Sequence, residues 1–213
     1  MRIASRWFVA LTLLAACAPP APLPDAEAPL DASMTDSMSG NDASARDAQS
    51  SFPDVELPDV AMTPLPDFVL DDQNPNSATN GMPVTLQAQR GSISVWYFAT
   101  SACHFCVQMV ADLDRMQREI SASMPTRPVK FFVIADLDSD GATSVFTTGV
   151  TLPVLQDNRT ANVQSNWMAT IRDVVLVDDE GTRRLVYNLT TRSLDQAVYY
   201  NDLKTRVLSI ANR

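Results

Sequence analysis

The sequence predicts an α/β domain at residues 65–213, with a central mixed β-sheet flanked by helices. Three observations support this prediction. Near-continuous apolar runs of strand length occur at 93–98, 129–135 and 171–177, as expected of strands that are buried on both faces. Segments with apolar residues at helical spacing follow the first run and end the chain. The acidic turn at 178–181 leads into a further strand, which predicts a hairpin.

The other elements follow from the same patterns along the chain. Prolines end the helix that follows the first long run, and another proline interrupts the extended segment after the second run. Because the central strands are almost wholly apolar, we expect helices on both faces of the sheet. The predicted strands are 68–70, 84–86, 93–98, 129–135, 150–155, 171–177 and 184–189. The helix that follows the strand at 93–98 is predicted to end near residue 123, and three further helices are predicted at 142–148, 157–168 and 193–211.

Charge is distributed unevenly along this chain of net charge −9. Residues 18–64 contain nine of its 25 acidic residues and one of its 16 basic residues, and Pro, Ala, Asp and Ser dominate there. A segment of this composition buries too little apolar surface to offset the conformational entropy that it would lose on ordering. We therefore interpret residues 17–64 as a disordered linker. The chain has no cluster of basic residues, which excludes nucleic acid as an expected partner.

The N-terminus reads as a signal peptide at residues 1–16. A basic start precedes an apolar run at 7–16, which would rise about 15 Å as a helix and is too short to span a membrane. The run ends in Leu14-Ala15-Ala16-Cys17, which resembles the lipobox of bacterial lipoproteins. The resemblance implies that Cys17 is lipidated and becomes the mature N-terminus. The alternatives are an ordinary cleaved signal peptide or an uncleaved anchor, with Cys17 incidental.

The residue after this cysteine bears on localisation. It is Ala18 and not aspartate, which by resemblance to Gram-negative lipoproteins favours the periplasmic face of the outer membrane. More than one acyl chain gives a stable anchor, whereas a single chain gives a marginal one. We therefore expect a domain of the cell envelope, held to the membrane by its lipid.

The remaining two cysteines lie in a Cys103-His104-Phe105-Cys106 motif, where a predicted strand ends and a helix begins. Backbone N–H groups and the positive end of the helix dipole stabilise a thiolate at such a position. Two intervening residues place both sulfurs within one helical turn, close enough to form a disulfide. The motif predicts thiol–disulfide exchange, with a purely structural disulfide as the alternative.

The strand with its CHFC motif, the later Leu152-Pro153-Val154 and the final hairpin and helix resemble the thioredoxin fold. The opening DFVLDD…GMPVTLQAQRGSISVWYF resembles the redoxin branch, which includes TlpA- and ResA-type tethered oxidoreductases. The resemblance implies that Cys103 attacks and Cys106 resolves, with their disulfide as the only redox group and no further cofactor. It also implies a cis Pro153 facing the motif and a Leu152 backbone that pairs with an extended substrate.

The sequence departs from the resemblance at two points near the motif. Tyr97 stands where classical thioredoxins have a buried acid, and Ala102 stands where they have tryptophan. Proton transfer to Cys106 would then use water or another group, for which Asp136 is a candidate. His104, the only histidine of the chain, is expected to favour the Cys103 thiolate when protonated, or else to be a solvated side chain.

Other chemistries are predicted less well by these residues. Zinc would need four ligands, and Sco-type copper proteins use a distant histidine, whereas His104 lies inside the cysteine pair. Covalent haem attachment would need a histidine at position 107, where this chain has Val107. A peroxiredoxin would need a proline at position 96, where this chain has Trp96. The open alternatives are a copper-handling chaperone, a thiol peroxidase-like redoxin and a binding domain with a degenerate site. The expected partners are protein thiol or disulfide substrates and an electron-transfer partner in the envelope, with the chain itself a monomer.

Overall fold

The structure, a computed structural model, describes residues 64–213. The predicted signal peptide, the predicted lipidation site Cys17 and the predicted linker up to residue 63 lie outside the described residues. Two short strands come first, followed by five further strands and three α-helices. In chain order these are β1 (Leu70–Asp71), β2 (Pro83–Val84), β3 (Ile93–Ala99), α1 (His104–Ala122), β4 (Val129–Ala135), β5 (Val154–Gln156), α2 (Val163–Asn166), β6 (Asp173–Val177), β7 (Arg183–Asn188) and α3 (Ala197–Ala211).

Five of the strands form one mixed sheet in the order β5-β4-β3-β6-β7. The central strand β3 is parallel to β4 and antiparallel to β6, so Tyr97 has Val133 on one side and Val174 on the other. Strand β5 extends the sheet in parallel beyond β4, and β7 pairs back on β6 as the predicted hairpin. The prediction of a mixed sheet flanked by helices is confirmed.

All seven residues of β3 are buried, and their side chains alternate between two apolar clusters. The first cluster contains Val95 and Tyr97, and the helices α1 and α3 cover it. Helix α1 turns its Cys106, Met109, Val110, Leu113, Met116 and Ile120 toward this face. The two helices also meet through Lys204, whose Nζ lies 2.7 Å from a carboxylate oxygen of Glu119. The predicted helical spacing after the CHFC motif is therefore the face of α1 that packs on the sheet.

The second face of the sheet is covered mainly by loops. Its cluster contains Trp96, Phe132 and Trp167, which pack with Phe68 from the segment before β1. Among the described residues, the helix on this face is the single turn α2, so helices flank both faces of the sheet but cover them unequally. The segments at 64–89 and 157–169, which include β1, β2 and α2, cover this face.

The helix predicted at 157–168 is shorter for a local reason. The Asp157 carboxylate accepts hydrogen bonds from the backbone N–H groups of Asn158, Val163 and Gln164. The Asn158 side chain accepts two more, from residues 160 and 161. Short polar side chains thus satisfy the backbone in a loop before α2, in competition with a helix.

The described chain begins at the sheet end that is opposite to the CHFC motif. Pro64 forms an isolated bridge with Thr182, and the Leu65 N–H donates to the Gly181 carbonyl at 3.2 Å. Gly181 belongs to the β6–β7 turn, which lies beside the first residue of β3, whereas the motif follows its last residue. None of the helices within residues 64–213 has both the length and the apolar character that a membrane span requires.

Candidate active site at the start of helix α1

The two cysteines of the motif occupy different environments at the N-terminus of α1. Cys103 is the N-cap residue and is partly exposed, whereas Cys106 lies in the first turn and is fully buried. The Cys106 N–H donates to the Cys103 sulfur at 3.2 Å and to the Cys103 carbonyl at 3.0 Å. A tight turn precedes the cap, because the Cys103 N–H donates to the Thr100 carbonyl at 3.1 Å. The Cys103 sulfur thus accepts a backbone hydrogen bond at the N-terminus of α1 while it stays partly exposed to solvent.

The Cys106 thiol is held in its protonated form. Burial is the main cause that raises its pKa above the ordinary value for a thiol, and a hydrogen bond with Cys103 raises it further. The backbone amide of Thr100 and the Tyr97 hydroxyl act in the opposite direction, since both favour the thiolate. The pair therefore combines a partly exposed sulfur at a helix cap with a shielded thiol that ionises only at higher pH.

Tyr97 is the polar residue that β3 places beneath the motif. Burial raises the pKa of Tyr97 far above its usual value, and the charge of a Cys106 thiolate raises it further. Its hydroxyl has no hydrogen-bond partner of good geometry within residues 64–213. Tyr97, which stands where classical thioredoxins have a buried acid, is thus a neutral phenol beside the buried cysteine.

Arg172 also belongs to this site, and the sequence did not predict it. Its N–H donates to the Phe98 carbonyl at 2.7 Å, which fixes it next to the end of β3. Its guanidinium donates to the Leu189 carbonyl at 2.8 Å and lies 5.8 Å from the centroid of the Phe105 ring. The backbone at Arg172 has a φ of 75°, an uncommon value for a residue with a side chain. No local pattern of the sequence indicates this conformation.

The two residues between the cysteines face solvent. His104 and Phe105 are both exposed, and their ring centroids lie 6.2 Å apart in an edge-to-face arrangement. Phe105 exposes 60% of its surface, which is unusual for so large an apolar side chain. The expected influence of His104 on Cys103 stays a prediction.

The Pro153 loop belongs to the same side of the sheet as the dithiol. Leu152 is buried in the cluster that contains Cys106, and Cys103 packs against that cluster. No peptide bond within residues 64–213 is cis, so the expectation of a cis Pro153 is wrong. The trans form of an X–Pro bond is favoured by about 0.5–1 kcal/mol. Here the Pro153 carbonyl accepts from the Val133 N–H at 2.9 Å in that form.

Two buried side chains hold the loop in place. Asn74, which is fully buried, donates from its amide to the carbonyls of Val150 at 3.0 Å and Leu152 at 2.7 Å. The Asp114 carboxylate on α1 accepts from the Thr151 N–H at 2.9 Å and from its hydroxyl at 2.7 Å. The Leu152 carbonyl already accepts a hydrogen bond from Asn74. The pairing of the Leu152 backbone with an extended substrate stays a prediction. The loop and the helix that carries the cysteines are connected directly through Asp114.

Asp136, the suggested proton-transfer group, has a different set of contacts. It accepts from the Ser139 hydroxyl at 2.6 Å, and that same hydroxyl accepts from the Ser101 N–H at 2.7 Å. These bonds order the turn that precedes Cys103. Of the two residues, Tyr97 is the one whose polar atom lies beside Cys106.

The known proteins that this chain is similar to are solved structures, since no protein-family model and no curated protein matches the sequence. A secreted Mycobacterium tuberculosis disulfide oxidoreductase homologous to E. coli DsbE has a TM-score of 0.52 at 19% identity, covering 67% of this chain and 95% of its own. A SCO1/SenC family lipoprotein from Bacillus anthracis has a TM-score of 0.55 at 15% identity, covering 71% and 96%. Arabidopsis thaliana ScoI, solved with copper bound, has 0.52 at 14% identity, covering 69% and 99%.

These similarities bear on the fold and not on the chemistry. At 19% identity or less, the shared feature is the arrangement of the strands and helices. Each of these neighbours nevertheless aligns with about the same share of this chain, 67–71%, and with nearly all of its own chain. The described domain has a thioredoxin-like fold, as the resemblance of its motifs implied.

Proposed function

We propose that this chain is a thiol–disulfide oxidoreductase that acts on protein disulfides through the Cys103–Cys106 dithiol. One observation carries the proposal: a partly exposed cysteine caps a helix, and a buried cysteine follows within the same turn. Substrate can reach the first sulfur, whereas the second is shielded and meets the first. This asymmetry suits exchange by two successive attacks, the first on a substrate disulfide and the second on the mixed disulfide.

The proposed reaction balances without any other redox group. The Cys103 thiolate attacks a substrate disulfide, forms a mixed disulfide and releases one substrate sulfur, which takes a proton from water. The Cys106 thiol then loses its proton and attacks Cys103, and the second substrate sulfur leaves as a thiolate. The substrate gains two electrons and the dithiol becomes a disulfide, which a dithiol partner in the envelope reduces again. By resemblance to the tethered redoxins we favour this reducing direction.

The surroundings of Cys103 favour protein substrates over small disulfides. The exposed Phe105 ring lies two residues after the attacking Cys103, with the Arg172 guanidinium beside the ring. An apolar surface of this kind binds apolar side chains that flank a substrate disulfide. The chain acts as a monomer in this proposal, because each domain holds both sulfurs.

A Cys106→Ser variant tests the proposed reaction. It retains the attacking sulfur and removes the resolving one, so mixed disulfides through Cys103 are expected to accumulate. The measurement is mass spectrometry of the variant after incubation with oxidised insulin or an envelope extract, followed by mapping of the modified peptide. We expect adducts on Cys103 that dithiothreitol removes.

The matched control is the Cys103→Ser, Cys106→Ser double variant, which is expected to form no such adducts. Absence of adducts in the single variant, together with no reduction or oxidation of insulin by the parent protein, would contradict the proposal.

The copper-handling alternative predicts one equivalent of Cu(I) bound without turnover. Within residues 64–213 no group of three His, Cys, Asp or Glu side chains could hold a metal ion. Copper at the dithiol would then have two thiolate ligands from these residues.

The proposal also includes domain organisation and localisation. We infer a signal peptide at 1–16, a lipidated Cys17 that opens a disordered linker to residue 64, and a redox domain at 65–213 in the cell envelope. The leader ending in Leu14-Ala15-Ala16-Cys17 supports this organisation, as does the fact that the Bacillus anthracis neighbour is itself a lipoprotein. Since residue 18 is alanine, we favour the periplasmic face of the outer membrane in a Gram-negative cell.

Replacing Cys17 with serine tests the anchor. The variant lacks the sulfur that forms the thioether, so the protein is expected to leave the membrane fraction or to remain unprocessed. Fractionation and intact mass determination after expression in a bacterial host measure both outcomes. An unchanged membrane fraction and an unchanged mass would show that Cys17 is not lipidated. An Ala21→Ser variant, which leaves the lipobox intact, is the control.

A further inference from the structure

The Tyr97 side chain is polar and has no assigned role in the fold. It lies on the β3 face that α1 covers, where its strand neighbours are Val133 and Val174. Only 1% of its surface is exposed, and its hydroxyl makes no hydrogen bond of good geometry to any of residues 64–213. A buried hydroxyl left without a partner destabilises the folded state relative to one that is bonded. A group that supplies the missing partner would therefore stabilise the site.

The adjacent polar atom is the Cys106 sulfur. Cys106 belongs to the same buried cluster as Tyr97 and interacts with its side chain. The other titratable groups that act on Tyr97 are Arg172, from the segment before β6, and Cys103, whereas its β4 neighbour is the apolar Val133. A protonated thiol is a weak hydrogen-bond acceptor, but a thiolate is a strong one. The hydroxyl acquires a good partner when Cys106 ionises.

We propose that Tyr97 is a catalytic residue of the exchange, whose hydroxyl donates a hydrogen bond to the Cys106 sulfur while that sulfur is a thiolate. This inference rests on the proposed oxidoreductase function and assigns it a third residue. Tyr97 does not act as the base, because burial keeps the phenol neutral. The Cys106 proton leaves to solvent, and Tyr97 stabilises the anion that remains.

The hydrogen bond operates in the resolving step. In the mixed disulfide, Cys106 loses its proton, and its thiolate accepts from Tyr97. The thiolate then attacks the Cys103 sulfur, the Cys103–Cys106 bond forms and the bond to substrate sulfur breaks. The substrate leaves as a thiolate and takes a proton from solvent, while Tyr97 neither gains nor loses a proton. A buried carboxylate in this position would accept the proton but would repel the thiolate, so the phenol implies different pH behaviour.

A Tyr97→Phe variant in a Cys103→Ser background tests the contact without requiring turnover. The ionisation of Cys106 is followed against pH through the NMR chemical shift of its isotope-labelled Cβ, which needs no reagent to reach the buried sulfur. Because a hydrogen bond to a charged group is lost, we expect the midpoint of this profile to move to higher pH by about one unit or more. The matched control is Tyr187→Phe, which removes another buried hydroxyl, one that donates to the Tyr199 carbonyl. It is expected to leave the profile in place.

An unchanged profile in Tyr97→Phe, or an equal shift in Tyr187→Phe, would overturn the proposal. If Tyr97→Phe does not fold, site-specific 3-fluorotyrosine at position 97 provides a second variant. Its more acidic hydroxyl is a stronger donor, so the profile must move to lower pH, and a shift in the other direction contradicts the proposal. Failure of the oxidoreductase function would appear separately, as absence of insulin reduction by the parent protein.

Discussion

Replacing Cys103 with serine is expected to lower the rate of insulin disulfide reduction about a thousandfold or more, to the uncatalysed level. A hydroxyl at the N-cap preserves the helix terminus, since serine is a preferred cap, but it supplies no thiolate nucleophile. Cys106 cannot take over the attack because it is fully buried and its pKa is raised by burial. The measurement is turnover of insulin with a chemical reductant, with far-UV circular dichroism to verify the fold.

The control for this variant is Gln108→Ala on the exposed side of α1, which is expected to stay within about twofold of the parent rate. Two results would contradict the assignment of roles. A Cys103→Ser variant that keeps most of its turnover would exclude Cys103 as the nucleophile. A Cys103→Ser variant that forms stable mixed disulfides through Cys106 would reverse the two roles.

Replacing Trp96 with alanine is expected to lower the free energy of unfolding by about 3–5 kcal/mol. Trp96 is fully buried, and its ring stacks on Phe132 with a centroid distance of 4.1 Å. It also meets Phe68 and Trp167 edge to face at 5.3 and 5.6 Å. Truncation removes the centre of the second core, where only irregular segments and the single turn α2 could close the cavity. Urea denaturation followed by circular dichroism measures the change.

Val69→Ala is the matched control, because Val69 lies next to Phe68 but exposes 62% of its surface. We expect its effect on the free energy of unfolding to stay within about 0.5 kcal/mol. A loss of less than about 1 kcal/mol in Trp96→Ala would mean that this face contributes little to folding. The insulin activity of a folded Trp96→Ala variant is expected to survive, since the dithiol belongs to the other face.

The elements that the sequence predicted best are those whose local pattern and final burial agree. The β4 bounds match the predicted 129–135, and β3 ends one residue beyond its predicted end. In both strands almost every residue is apolar, so the pattern does not depend on which face each side chain occupies. The helix after the motif was equally clear, because its apolar spacing and its N-terminus at Cys103 indicate the same structure.

The elements that the sequence predicted poorly depend on contacts distant in the chain. Strand β1 pairs with only two residues of β2, so its bounds reflect tertiary position more than propensity. Helix α2 is reduced to one turn because the Asp157 carboxylate bonds to the backbone N–H groups of the loop. The cis Pro153 was an expectation from resemblance alone, with no physical feature of the sequence to support it.

The candidate site was predictable in its cysteines and not in their surroundings. The spacing of Cys103 and Cys106 is local, so the pair could be read from the sequence together with the helix terminus. Tyr97 was recognisable only because classical thioredoxins have a buried acid at the corresponding position. Arg172 reaches the site through a positive φ and a hydrogen bond to the end of β3, neither of which leaves a sequence pattern.

The bridge between Pro64 and Thr182 has a consequence for how the domain is presented. The chain enters the domain beside the β6–β7 turn, and β3 runs from that end of the sheet to the dithiol. Seven strand residues separate the two ends by roughly 20 Å. A tether attached at Pro64 therefore joins the domain at the end remote from Cys103, so the point of attachment does not cover the reactive sulfur.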